Sequence, residues 1–196
     1  MSVEPDLSAF ILAGGKSTRM GSDKAFVELD GRTLLARALE IAHSLTHDVR
    51  IVGDAAKFAA FGPVVEDIFP GCGPLSGIHA ALRSSHADLN LVLAVDVPFV
   101  TPAFLEFLVT CARSATYATV TVARSGHGWQ PLCAVYRRDF ANPAEAALQQ
   151  GVYKIDALFE PARTRIIAED ELQAAGFPPR IFRNLNSLDD LAAAGE

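Results

Sequence analysis

Short apolar stretches alternate with amphipathic segments along the first half of the chain. Residues 9–13 are apolar throughout, and helical spacing follows over 33–44; apolar 49–52 then precedes a second helix-like segment over 54–60. The rhythm continues through the strand pair at 64–65, a helix over 75–83, a strand over 89–95 and a helix over 102–111. Runs that are apolar on both faces are what a parallel sheet covered by helices requires. The pattern therefore predicts an α/β chain with a single Rossmann-like, doubly wound, mostly parallel sheet, and no composition shift or linker divides residues 1–196.

The rhythm loosens after Thr119. Segments 120–123 and 132–136 flank the turn-rich Ser125-Gly126-His127-Gly128, which predicts a small antiparallel excursion, and this half is expected to carry substrate selectivity. A helix over 141–150, a strand over 165–168 and a last helix from about 188 complete the chain. Thr101-Pro102 reads as an N-cap followed by proline in the first turn, and Asn142-Pro143 repeats the pattern; Ser187 with Asp189 and Asp190 would cap the final helix.

Composition narrows the function classes. In 196 residues, 17 basic against 23 acidic side chains give a net charge of −6, so the chain lacks the basic field that supplies nucleic-acid affinity. No apolar run approaches the roughly 18 residues of a membrane span, and the N-terminal residues carry two acids rather than a basic leader. Neither a nucleic acid nor a membrane is expected as partner. Cys72, Cys111 and Cys133 are odd in number and lack C-x-x-C spacing, which fits reduced thiols in the cytoplasm and argues against structural zinc.

The chemistry concentrates in 12–24, where Gly14, Gly15, Gly21, Lys16, Arg19 and Lys24 follow the first strand. A Walker loop needs glycine five positions before Gly15, where Phe10 stands. A dinucleotide fingerprint needs G-x-G-x-x-G, which the adjacent Gly14 and Gly15 break. What remains is a glycine-rich loop with cations at the carboxyl end of a strand, suited to a nucleoside triphosphate. Phosphoryl or nucleotidyl transfer asks mainly for positioning and charge neutralisation, which amides and cations supply.

Asp96 directly follows the most apolar strand, a poor place for packing and a good one for a hard cation. Magnesium, held by a carboxylate, phosphates and water, suits it; an N-cap to the next turn is the other reading. His43 and His47, four apart, lack a third ligand and read as surface, as do His79 and His127. Cys72, between two glycines, has no task in a direct transfer.

The segment Leu12-Ala-Gly-Gly-Lys-Ser-Thr-Arg-Met-Gly-Ser-Asp-Lys24 resembles the signature of the molybdenum cofactor guanylyltransferases, a branch of the nucleotide-sugar-pyrophosphorylase-like nucleotidyltransferases. The resemblance extends through 28–34, Val65-Glu-Asp67, Gly73-Pro-Leu-Ser-Gly77, Asp96-Val-Pro-Phe99, 131–136 and 184–190, nearly the whole chain. The glycine segment is shared by many nucleotidyltransferases; Asn184-x-Asn186-Ser points to the molybdopterin branch.

This resemblance implies Mg²⁺-dependent transfer of GMP from GTP to molybdenum-bound molybdopterin, with release of pyrophosphate. It implies that Gly14 and Gly15 cradle the triphosphate and that Leu12 and Ala13 also bind nucleotide, while Lys16 and Arg19 counter the charge of the leaving pyrophosphate. Lys24 would contact nucleotide, Asp96 would carry the metal, and Gly73, Pro74, Leu75 and Gly77 would flank ribose or base. It also places Asp67 in nucleotide binding, where a turn-forming aspartate reads equally well, and Asn184 and Asn186 near the reacting phosphates or the metal, although on the residues alone they are turn residues. The family pattern often has asparagine where Gly53 stands, so one side-chain contact to nucleotide is missing. GTP and molybdopterin are the implied substrates, with transient contact to other cofactor-biosynthesis proteins or recipient molybdoenzymes. Related cytidylyltransferases tend to show Asp-Gln-Pro where this chain has Asp96-Val-Pro98, so CTP is the nearest alternative donor; another acceptor, or a non-catalytic nucleotide-binding module, is the more distant one.

Overall fold

The computed structural model describes residues 6–14, 23–126 and 128–185. Strand β1 (Leu7–Leu12) leads to a 3-10 turn at Lys24–Phe26 and a small hairpin, β2 (Glu28–Leu29) and β3 (Arg32–Thr33), then helix α1 (Leu34–His43). Strand β4 (Val49–Val52), helix α2 (Ala55–Phe58), strand β5 (Val64–Val65), helix α3 (Pro74–Ser84), strand β6 (Leu89–Ala94) and helix α4 (Pro102–Ser114) continue the alternation. Strands β7 (Val120–Ser125) and β8 (Gly128–Arg137), helix α5 (Ala141–Gln149), strand β9 (Thr164–Ile167) and helix α6 (Glu169–Ala174) follow.

The large sheet has the order β5-β4-β1-β6-β8-β7-β9, and β8 alone runs against its neighbours, β6 and β7. The expected parallel sheet with one antiparallel excursion is therefore what forms. Strand β1 shows why both its faces must be apolar. Ala9 and Ile11 enter the cluster beneath α1 and α4, whereas Phe10 and Leu12 enter the cluster beneath α3 and α5. Period-2 alternation thus feeds two cores.

Helix α4 begins where its cap predicts: the Thr101 hydroxyl accepts a hydrogen bond from the Phe104 N–H at 3.3 Å, with Pro102 in the first turn. Asn142 does not repeat this role. Helix α5 starts directly from a 3-10 turn at Arg138–Phe140, so its first turn is continuous with preceding structure and Asn142 lies inside the helix. The segment 54–60 is helical only over Ala55–Phe58, after an Asp54 cap, and the helix expected from 188 lies outside the described residues. His43 and His47 are exposed, but His79 is buried, which corrects its surface reading. It faces Phe69 edge-on at 5.3 Å and places Nε2 3.4 Å from Glu145 of α5, and desolvation holds its pKa below the ordinary histidine value. Among the described residues, no helix is long and apolar enough to cross a membrane.

Candidate active site

The carboxyl ends of β1, β4 and β6 lie side by side, as parallel register requires: Leu12 pairs with Val52 and with Ala94. Open α/β sheets bind ligands along this edge. The backbone just past β1 is pinned there. The Ala13 and Gly14 N–H groups both donate to the Val52 carbonyl, at 3.0 and 3.2 Å, so both amides are engaged within the protein. Leu12 and Ala13 are buried, and the Leu12 carbonyl accepts from the Val95 N–H at 3.3 Å, whereas Gly14 is exposed. Gly15, Lys16, Arg19 and Asn186 lie outside the described residues.

Lys24 is placed by its own turn. Asp23 caps the turn by accepting from the Ala25 N–H at 3.3 Å and binds Lys57 Nζ at 3.0 Å, while Ala25 is fully buried. The chain is thus locked on either side of Lys24, whose Nζ lies 3.6 Å from Asp96 Oδ2. Both side chains are only 23% exposed, so bulk water screens the pair incompletely. Helix α4 is capped by Thr101, five residues after Asp96.

The end of β6 also recruits the C-terminal segment. The Leu185 N–H donates to the Asp96 carbonyl at 3.0 Å, and Asn184 shares with Asp96 a pocket of about 130 Å³. The other wall is Trp129-Gln-Pro-Leu-Cys133 of β8. Sequence reasoning missed Trp129 and Gln130. The one available signal was an isolated tryptophan beside a glycine turn, and only the antiparallel pairing of β8 with β6 carries it to Asp96. Cys133 is fully buried, and desolvation pushes its thiol up to about 12, so it supplies no thiolate to this pocket.

A second group forms around the start of α3. Gly73 holds φ at 74°, a left-handed conformation that glycine adopts without strain, and turns the chain into the helix at Pro74. One turn on, Gly77 is buried: a Cβ there would stand 3.3 Å from Leu12 Cδ2 and from Val52 Cγ1, and 3.6 Å from Asp67 Oδ1. Absence of a side chain lets the helix close onto both strand ends and the Asp67 carboxylate. Asp67 is exposed as a residue, yet partial desolvation raises its carboxyl above the ordinary range. Leu75 is wholly buried, and Pro74 and Gly73 remain at the surface. Leu12, Asp67 and Gly77 are therefore neighbours, and Lys24, Asp96 and Asn184 form the other cluster.

Gly53 has a structural reason. A Cβ there would lie 2.8 Å from Phe58 Cε2, and the Phe58 ring is itself buried and stacked on Phe26 at 5.7 Å. Replacing Gly53 by Asn should cost about 1–3 kcal/mol through this clash. Adding Phe58→Ala should remove the clash, at the separate cost of emptying the ring's site. Denaturant melts of both single variants and the double would show a double less destabilised than the sum; additive losses would mean that Phe58 accommodates the amide.

The described residues contain no cluster of three or more metal-ligating side chains. The side-chain oxygen donors that line the pocket, the Asp96 carboxylate and the Gln130 and Asn184 amides, are nevertheless hard groups, and a magnesium ion brought with a triphosphate needs only one or two protein carboxylates.

Residues 9–165 match the model of the MobA-like NTP transferase domain. The molybdenum cofactor guanylyltransferase of Desulfosudis oleivorans is 34% identical over 191 residues, covering 96% of this chain and 94% of that protein. The probable molybdenum cofactor guanylyltransferase of Pelotomaculum thermopropionicum is 34% identical over 186 residues, covering 94% and 89%. Among solved structures, molybdopterin-guanine dinucleotide biosynthesis protein A from Archaeoglobus fulgidus superposes with a TM-score of 0.83 at 30% identity over 96% of both chains. On a fold, a strand-end site and relatives that agree over nearly its whole length, this chain belongs to the MobA-like NTP transferase family, among the molybdenum cofactor guanylyltransferases, and is a nucleotidyltransferase.

Proposed function

We propose that the chain transfers GMP from GTP to the terminal phosphate of molybdenum-bound molybdopterin, releasing pyrophosphate and forming the guanine dinucleotide cofactor. The observation that carries this reading is the meeting of Lys24, Asp96 and Asn184 at the end of β6, in a chain one-third identical to proteins of that name. An oxygen of the acceptor phosphate attacks the α-phosphorus of GTP, and the bond to the bridging oxygen of pyrophosphate breaks. The acceptor is already anionic at neutral pH, so no strong general base is required. Residues 1–196 act here as one nucleotidyltransferase unit.

Leu12 and Ala13 would offer backbone atoms to the nucleotide, with Gly14 and Gly15 beside the triphosphate. Lys16 and Arg19 would balance charge on the leaving pyrophosphate. Gly73, Pro74, Leu75 and Gly77 would border the ribose or base together with Asp67. Lys24 would hold the α-phosphate side, and Asn184 and Asn186 would orient the acceptor. Asp96 would hold Mg²⁺, which supplies neutralisation of phosphate charge when bound.

The test is pyrophosphate release in the presence of Mg²⁺, comparing GTP, CTP and ATP with and without molybdenum-molybdopterin, with mass spectrometry of the product. Release that requires GTP and acceptor together, yielding the guanine dinucleotide, is the expected result. Release with CTP would overturn the donor, and nucleotide binding without release would overturn the reaction.

A further inference from the structure

We propose that Arg124, seated on the Trp129 indole at the tip of the β7–β8 hairpin, is the cation that receives the phosphate of the acceptor. This rests on the guanylyl-transfer reading and assigns a residue to the acceptor side of its site. The need for such a group follows from charge. A phosphate monoester acceptor brings close to two negative charges. The described side chains lining the pocket are the Asp96 carboxylate, two amides (Gln130 and Asn184) and apolar or aromatic groups. Lys24 is drawn to Asp96, on the nucleotide side.

Arg124 answers that need by position. It pairs across the hairpin with Trp129, and its guanidinium carbon stands 5.1 Å from the indole centroid. The same indole walls the pocket and is braced by Phe159, nearly perpendicular at 5.4 Å. The register shifts between Val122 and Arg124, an irregularity of the kind that re-aims side chains. Parallel orientation of β6 and β7 puts the end of β7 at the same sheet edge as Asp96.

Arg32, Arg83, Arg113, Arg137 and Arg163 each sit on a carboxylate. The Arg124 guanidinium has no acidic partner, a trait it shares with Arg138 and Arg180 among the described residues, and what sets it apart is its seat on the Trp129 indole that walls the pocket. Stacking on an indole orients the guanidinium plane without using its N–H donors, so its fork stays open to a phosphate.

The experiment compares Arg124→Gln and Arg124→Lys with the wild-type enzyme, and with Arg113→Gln as a control that removes the same charge from the far end of α4. The KM for molybdopterin should rise about tenfold or more in Arg124→Gln, as loss of a charge-assisted phosphate contact implies, while kcat and the KM for GTP stay close to wild type. Arg124→Lys should recover part of the loss, and Arg113→Gln should show none. Equilibrium binding of molybdopterin and of its dephosphorylated form adds a second readout: Arg124→Gln should weaken only the phosphorylated ligand. An unchanged acceptor KM in an active enzyme, or equal weakening of both ligand forms, overturns this inference. Absence of wild-type turnover with GTP and molybdopterin overturns instead the reaction on which it rests.

Discussion

Asp96→Asn is expected to lower turnover by at least 10²–10³-fold, on the order of what a charge-stabilising group contributes to such a reaction, while the protein still folds. The asymmetry follows from placement. Asp96 is an incompletely buried residue at the end of a strand, and its structural tie to Leu185 runs through its backbone carbonyl, which the substitution keeps. Asparagine is nearly isosteric and retains one oxygen, but it loses the charge that faces Lys24 and that would hold a cation against the triphosphate. Steady-state turnover with GTP and molybdopterin, read beside the thermal midpoint, separates the two effects. Near-normal turnover would remove Asp96 from the reaction; an unfolded variant would contradict its placement at the edge of the core.

Phe104→Ala should produce the largest loss of stability, about 3–5 kcal/mol, because the ring is completely buried and its removal leaves a cavity. Two further rings meet it edge-on, Phe177 at 5.3 Å and Phe182 at 5.2 Å, and these belong to the segment that returns from α6 to the site. The consequence reaches Asn184, two residues beyond Phe182. With that anchor loosened, the acceptor KM should rise even below the melting temperature. Denaturant titration measures the first effect and steady-state kinetics the second. A loss under about 1 kcal/mol would show that the surrounding rings collapse into the space.

What the sequence reveals and what it hides can be followed residue by residue. Burial of 9–12 on both faces and the Thr101-Pro102 cap are local facts, readable without knowing any neighbour, and both formed as expected. Asn142-Pro143 carries the same local signal, yet a 3-10 turn upstream had already started the helix, so context overrode it. The β2–β3 hairpin escaped because two-residue strands leave no periodicity, although Asp30 and Gly31, with φ of 53° and 74°, are the residue pair such a turn favours. Within the candidate site, the pairing of Lys24 with Asp96 places two residues of the glycine-loop and strand-end readings together. Trp129 and Gln130 were invisible for another reason: their proximity to Asp96 depends on which strand lies beside β6, a long-range choice with no local mark.

The single reversed strand has a consequence for how such an enzyme can change. Six strands of the large sheet run in one direction, and β8 starts at the ligand edge and runs away from it. Its first residues, rather than its last, therefore stand beside Asp96, joined to β7 by a tip only a few residues long. Insertions or deletions at that tip would resize one wall of the pocket while leaving the register of β1, β4 and β6 untouched. On the proposed function, acceptor choice and nucleotide handling occupy separately variable parts of one sheet, and a hairpin exchanged between relatives should carry acceptor preference with it.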